Sequence, residues 1–113
     1  MTDARIVLTT VDSQEKAHAL AHTLVERRLA ACVNIIERIH SVYRWQGEVE
    51  TAEEWLLVIK TAANHVEALD TAVRELHPYQ LPEFAVLPIA SSTPEYLRWI
   101  AASTSPTEIG GEA

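Results

Sequence analysis

The chain has 113 residues, 48% of them hydrophobic, which fits one domain able to bury a useful core and leaves little room for a second. Nine Lys and Arg against sixteen Asp and Glu give a net charge of −7, which argues against a nucleic-acid partner, since such surfaces concentrate basic side chains. Cys32 is the single cysteine, so an internal disulfide is excluded and a reducing compartment is suited; no apolar stretch is long enough for a signal peptide or a membrane span, and a cytoplasmic location is expected.

Arg5–Val11 is β-branched and apolar and reads as a buried first strand. Asp12, with Glu15 three residues on, has capping-box character and opens a helix reaching about Arg28, whose Ala17, Leu20, Ala21 and Leu24 form one apolar face. His18 and His22 lie four apart on that helix, about 100–140° from the apolar stripe. Their spacing suits weak chelation of a divalent ion, and the simpler reading is an idle pair facing solvent.

Val33–Trp45 and Glu48–Lys60 form two extended arms joined at Gln46-Gly47, where Gly takes the positive-φ position of a tight reversal. Each arm is roughly twice the mean strand length of about 5–6 residues. At about 3.3 Å per residue an arm spans on the order of 40 Å, whereas a compact chain of this size has a radius of gyration of about 13 Å. The hairpin should therefore overhang its body and expose edges that another chain must cover. Val33, Ile35, Ile39, Tyr43 and Trp45 share one parity, interrupted at Glu37 and Ser41, which predicts a bulge or irregular middle.

Asn64 and Glu67 repeat the capping pattern before a second helix with Val66, Leu69, Val73 and Leu76 at helical spacing; His77-Pro78 ends it, because the residue before proline is pushed out of the α region. Phe84–Ala90 reads as a fourth strand, with Pro88 confining that part to an edge. Thr93-Pro94 caps a short last helix through Tyr96, Leu97, Trp99 and Ile100, and Thr104–Ala113 is expected to be a mobile tail. The order β-α-β-β-α-β predicts an α+β, ferredoxin-like sandwich with a long central hairpin, a short C-terminal helix and one domain over residues 1–103. Two helices cover one sheet face, and the other face, apolar in places, calls for a neighbouring subunit.

Four segments carry a resemblance. Arg28-Leu29-Ala30-Ala31-Cys32-Val33-Asn34, the hairpin Ser41 to Glu50, Ile59-Lys60-Thr61, and His77-Pro78-Tyr79-Gln80-Leu81-Pro82-Glu83 together resemble the CutA divalent-cation tolerance family, in register from about residue 5 to 103, and Tyr96-Leu97-Arg98-Trp99 looks like that family's last helix. The resemblance implies a ferredoxin-like protomer in a tight homotrimer whose hairpins add to neighbouring sheets. It also implies a link to copper tolerance and metal binding. Some members bind copper through a cysteine at the end of the first strand and a histidine pair before Pro-Tyr. The matching positions here hold Thr9 and Leu76-His77, so His77 alone is carried over as a metal ligand. A single imidazole is a poor copper site, because copper prefers three or four soft or nitrogen donors.

Cys32 is most simply a core filler at a helix-to-strand junction; as a thiolate it would need an electropositive neighbour such as Lys60. His40 and His65 have no companion at ligand spacing. Of the large aromatics Tyr43, Trp45, Trp55, Tyr79 and Trp99, the two near the hairpin tip are least explained by a self-contained core. With Cys32, Lys60, His77, Tyr79 and Glu83, Tyr43 and Trp45 are expected to line an inter-subunit cleft. Glu48, Glu50, Glu53 and Glu54 have the look of a metal cage, and read more simply as a solvated strand edge. Signatures of common cofactors and nucleophiles (G-x-G-x-x-G, the P-loop, G-x-S-x-G, C-x-x-C) are absent.

The expected function is binding rather than turnover: a cytoplasmic homotrimer associated with copper or other divalent-metal tolerance, holding a metal ion or small ligand between subunits. A small-molecule-sensing regulatory trimer without a metal role is the second reading. An enzyme using Lys60, Tyr79 or Glu83 as acid/base groups is the third.

Overall fold

The computed structural model describes residues 1–105. Its elements run β1 (Ala4–Val11), α1 (Gln14–Glu26), β2 (Cys32–Trp45), β3 (Glu48–Ala62), a 3-10 turn (Ala63–His65), α2 (Val66–Leu76), β4 (Ala85–Pro88) and α3 (Pro94–Ser103). The four strands form one antiparallel sheet in the order β2-β3-β1-β4, the ferredoxin-like arrangement. None of the helices among the described residues is long and apolar enough to cross a membrane.

Odd positions of β3 set the core. Trp55, Leu57 and Ile59 join Val7 and Val11 of β1 beneath Ala17, Leu20, Ala21 and Leu24 of α1 and Leu69, Ala72 and Val73 of α2. Each fully buried Leu or Ile in this layer contributes about 1.5–3 kcal/mol relative to exposure.

Local signals resolve differently from the sequence expectation in several places. Ser13, not Asp12, caps α1: its hydroxyl accepts from the Lys16 amide at 3.1 Å, while Asp12 turns outward to Lys16 Nζ at 3.1 Å. The helix stops at Glu26, two residues short of Arg28, because Arg28 takes φ 61° and the amides of Arg28 and Leu29 return to the carbonyls of Val25 and Leu24. Asn64 is no cap either; it sits in the 3-10 turn and α2 begins without a side-chain cap. β4 is four residues, not seven, and Phe84 packs partly buried against the core.

The hairpin overhangs as its length requires. The described chain measures 48 × 27 × 23 Å with a radius of gyration of 14.9 Å. Gln46 and Gly47 both have positive φ, 52° and 85°, the combination that matches a two-residue reversal to the twist of its strands. The expected irregularity falls at Glu37 and Arg38: the register jumps between Ile36 and Ile39, and Arg38 has φ 56°.

That bulge corrects the face assignment. Val33 and Ile35 lie on the helix side, but Ile39, Ser41, Tyr43 and Trp45 pair with Glu54, Ala52, Glu50 and Glu48 and so share a face with Cys32, Asn34 and Ile36. One extra residue resets the alternation. This second face is also not wholly uncovered: Ile100, Leu97 and Tyr96 of α3 pack with Ala4 and Ala31 at its β1-start end. The expected tail begins with Thr104, which is 1% exposed and whose hydroxyl donates to the Ile100 carbonyl at 2.9 Å; residues 106–113 lie outside the described residues.

Candidate functional site

Two polar clusters contact the second sheet face, one near the C-terminal end of β3 and the other at its middle, around Glu54. Lys60 and Cys32 are directly paired across β3 and β2, with Asn34 next on the same face. Lys60 Nζ donates to Asn34 Oδ1, and the Cys32 thiol lies 3.8 Å from the same oxygen. Cys32 is therefore half-buried on the sheet face and outside the core clusters, not the core filler its neighbours suggested. Tyr96 of α3 stands over this end, stacked on Trp99 with ring centroids 5.6 Å apart; burial, with Cys32 beside it, pushes its phenol up.

The other cluster gathers where α2 returns to the sheet. The His77-Pro78 junction turns the chain extended, with His77 at φ −81° and ψ 139°, and swings the imidazole under the end of β1. His77 Nε2 lies 2.7 Å from the Thr10 carbonyl oxygen, which can only accept, so Nε2 carries the proton. Nδ1 then accepts from the Tyr79 amide at 3.1 Å. Both nitrogens are engaged within the chain in the neutral form. Burial lowers the pKa of this imidazole, against the opposing pull of the Thr10 carbonyl, Asp12 and Glu54.

Tyr79 packs edge-on against that ring, centroids 4.8 Å apart, and its hydroxyl donates to Glu54 Oε2 at 2.7 Å. Burial first, then the hydrogen bond to Glu54, with Tyr43 near enough to contribute, hold the phenol well above the ordinary tyrosine range. Glu54 is 8% exposed, so it is not part of a solvated strand edge, whereas Glu48, Glu50 and Glu53 are exposed.

Of the seven residues expected to line one cleft, the chain brings Cys32 and Lys60 together at one end and His77, Tyr79 and Tyr43 toward the other. Lys60 and Glu54 are six residues apart on β3, roughly 20 Å. Trp45 sits at the hairpin tip opposite Glu48, and Glu83 stands exposed in the loop before β4. Thr9, at the family's cysteine position, is fully buried on the helix side with no hydrogen-bond partner for its hydroxyl among the described residues. Sequence reasoning missed the roles of Asn34, Thr10 and Glu54. Glu54 had a signal: it begins the run in which β3 turns from polar to apolar. Thr10 contributes only a backbone carbonyl, which no side-chain pattern announces.

No group of three or more His, Cys, Asp or Glu among the described residues is arranged to hold a metal ion. A groove of about 260 Å³ between α3 and the sheet, lined by Ala4, Ala62, Leu97 and Ile100 with Asp3 and Arg98 at its rim, is largely apolar and lies apart from the His77 cluster.

The family model described as CutA1 divalent ion tolerance protein matches residues 5–103. The chain belongs to the CutA1 family. A Thermus thermophilus relative named divalent-cation tolerance protein CutA is 50% identical over 99 residues, covering 88% of this chain and 96% of that protein. A relative from Arabidopsis thaliana, named Protein CutA, chloroplastic, is 42% identical over 88% of this chain, and the chain spans 54% of its length. Among solved structures, CutA from Xylella fastidiosa superimposes with a TM-score of 0.90 at 40% identity, covering 92% of this chain and all of that one. The ferredoxin-like fold is thus that of solved CutA1-family proteins.

Proposed function

We propose that this CutA1-family chain works as a homotrimer that binds a metal ion or small ligand at the seams between its subunits, in the service of divalent-cation tolerance. The observation that carries the reading is the long edge strand β2, 14 residues, with a second sheet face that leaves Ile36 47% and Leu87 45% exposed. An unpaired edge of that length with apolar side chains beside it is stable when a second chain completes it. Assembly also gives the expected cleft a physical form: Cys32 and Lys60 of one subunit would meet the hairpin or the His77–Tyr79 loop of the next. The name shared by the family model and the Thermus relative supports the metal connection.

In this reading Tyr43, Trp45 and Tyr79 provide the cleft walls, and Glu83 and Lys60 its charges. His77, the transferred metal ligand, must give up its bond to Thr10 or to the Tyr79 amide to reach an ion. Lys60 favours the second reading, a small-molecule-sensing trimer, because an ammonium on the seam face attracts an anion and repels a cation. A cytoplasmic location remains our reading for this chain.

Light scattering at low micromolar concentration tests the assembly; the expected mass is that of three 12.6 kDa chains, and a folded species of one chain would overturn it. Calorimetry with Cu2+ on metal-free protein and on His77→Gln separates the ligand classes. Weaker binding in the variant supports a metal at the seam. Unchanged binding, with a metabolite anion raising the melting temperature, supports the sensor instead.

A further inference from the structure

We infer that His18 and His22 form a surface site for a late first-row dication such as Ni2+, Zn2+ or Cu2+, distinct from the seams. The two imidazoles stand on successive turns of α1, positions i and i+4, where side chains of a helix lie one above the other. This is the spacing at which two histidines on one helix face grip a single zinc ion. Both residues are exposed.

The surroundings fit a cation. Glu15 and Glu26 continue the same stripe, within an arc of about 80° around the helix and opposite the buried Ala17, Leu20, Ala21 and Leu24. Both carboxylates are exposed, and none of these four side chains forms a hydrogen bond or ion pair among the described residues. Lys16, the one cation within the helix, lies on another flank and is held by Asp12 at 3.1 Å. Ala19, small and exposed beside the pair, leaves the approach open.

Chemistry sets the selectivity. Neutral imidazole nitrogen suits Cu2+, Ni2+ and Zn2+, whereas Mg2+ and Ca2+ demand oxygen cages. Because no three ligating side chains are clustered among the described residues, the ion keeps water in its remaining positions, with the two glutamates supplying a favourable field. The site is therefore an exchangeable one, unlike a closed structural metal centre.

The other histidines do not compete in kind. His77 has both nitrogens engaged, and His40 and His65 stand singly. The His18/His22 stripe also lies on the outer side of the helix layer, across the sheet from the face expected to meet other subunits, so assembly leaves it open.

Calorimetric titration of the full chain with Ni2+ at neutral pH tests this. One Ni2+ per chain is expected, with Mg2+ giving no comparable binding, and His18→Gln/His22→Gln should weaken it about tenfold or more. His40→Gln/His65→Gln should leave it within about twofold. Equal affinity in the His18/His22 variant, or an equal loss in His40→Gln/His65→Gln, overturns the site, and a loss found in His77→Gln but not in His18→Gln/His22→Gln overturns it too, by assigning the ion to the seam. Proton NMR of the unmodified chain gives a reading that needs no variant: the imidazole signals of His18 and His22 should broaden first as Ni2+ is added, and their staying sharp while others broaden sinks the proposal.

Discussion

The Tyr79 hydroxyl donates to Glu54 Oε2 at 2.7 Å, tying the loop after α2 to the strand whose outer half forms the hairpin arm. A carboxylate that is 8% exposed needs a donor, because burying it unsatisfied costs far more than the bond itself returns. Tyr79→Phe removes the donor and leaves the charge in place. The expected loss is about 1.5–3 kcal/mol in urea unfolding at fixed chain concentration. Glu54→Gln keeps an acceptor oxygen facing Tyr79 and should cost less. If the two variants are equally mild, the pair is a surface contact and the loop is anchored elsewhere.

His77 makes stability depend on pH. Its folded pKa lies below the ordinary value near 6.5, chiefly through burial, so the unfolded chain takes up a proton more readily. The stabilisation from this group is complete above about pH 6.5 and is lost as pH falls through the lower folded value. His77→Gln retains a donor for the Thr10 carbonyl and an acceptor for the Tyr79 amide but cannot titrate. The variant should flatten the onset of the fall in melting temperature just below about pH 6.5, relative to the unmodified chain, while carboxylates still produce a decline at lower pH. Parallel curves for both proteins would mean that the imidazole titrates normally.

Ile36 and Leu87 belong to the second sheet face and are nearly half exposed in the single chain. Replacing either with Arg leaves a side chain that a lone subunit tolerates at its surface and that an apolar seam does not. Ile36→Arg and Leu87→Arg should therefore shift the mass measured by light scattering from three chains toward one, with helix and strand content by circular dichroism retained. A stable trimer in both variants would place the contact on some other surface.

The fold was legible because its signals are local and periodic: the α1 stripe, the apolar end of β3, and Pro78 after His77 each decide an element without help from distant residues. The site was less so. Reading Val33, Ile35, Ile39, Tyr43 and Trp45 as one parity placed them on one face, whereas the bulge at Arg38 moves the last three to the other, which is why Tyr43 stands near Tyr79. Sequence shows that an alternation breaks but not which side the chain takes afterwards. Glu54 differs from its exposed acidic neighbours only in standing where the apolar run begins, and its burial is hard to read for a related reason: it depends on a loop some 25 residues later in the chain.

Arg38 is where that reset can be tested. Its φ of 56° is the left-handed region, which costs a residue with a Cβ roughly 1–2 kcal/mol, and its side chain is exposed, so packing offers little in return. Glycine adopts the same φ without the clash but is freer when unfolded, so Arg38→Gly should be neutral to stabilising by up to about 1 kcal/mol. Arg38→Val, β-branched, should destabilise by about 1–2 kcal/mol or expel the bulge. Expulsion has its own signature: a β2 without the extra residue would turn Tyr43 to the helix side and expose Val42 on the face that now carries Tyr43. Cross-strand amide NOEs between Ile39 and Glu54 report the register directly. Their retention in Arg38→Gly together with their loss or weakening in Arg38→Val is the expected pattern, and equal stability of the two variants would show that the left-handed residue is not what holds the bulge.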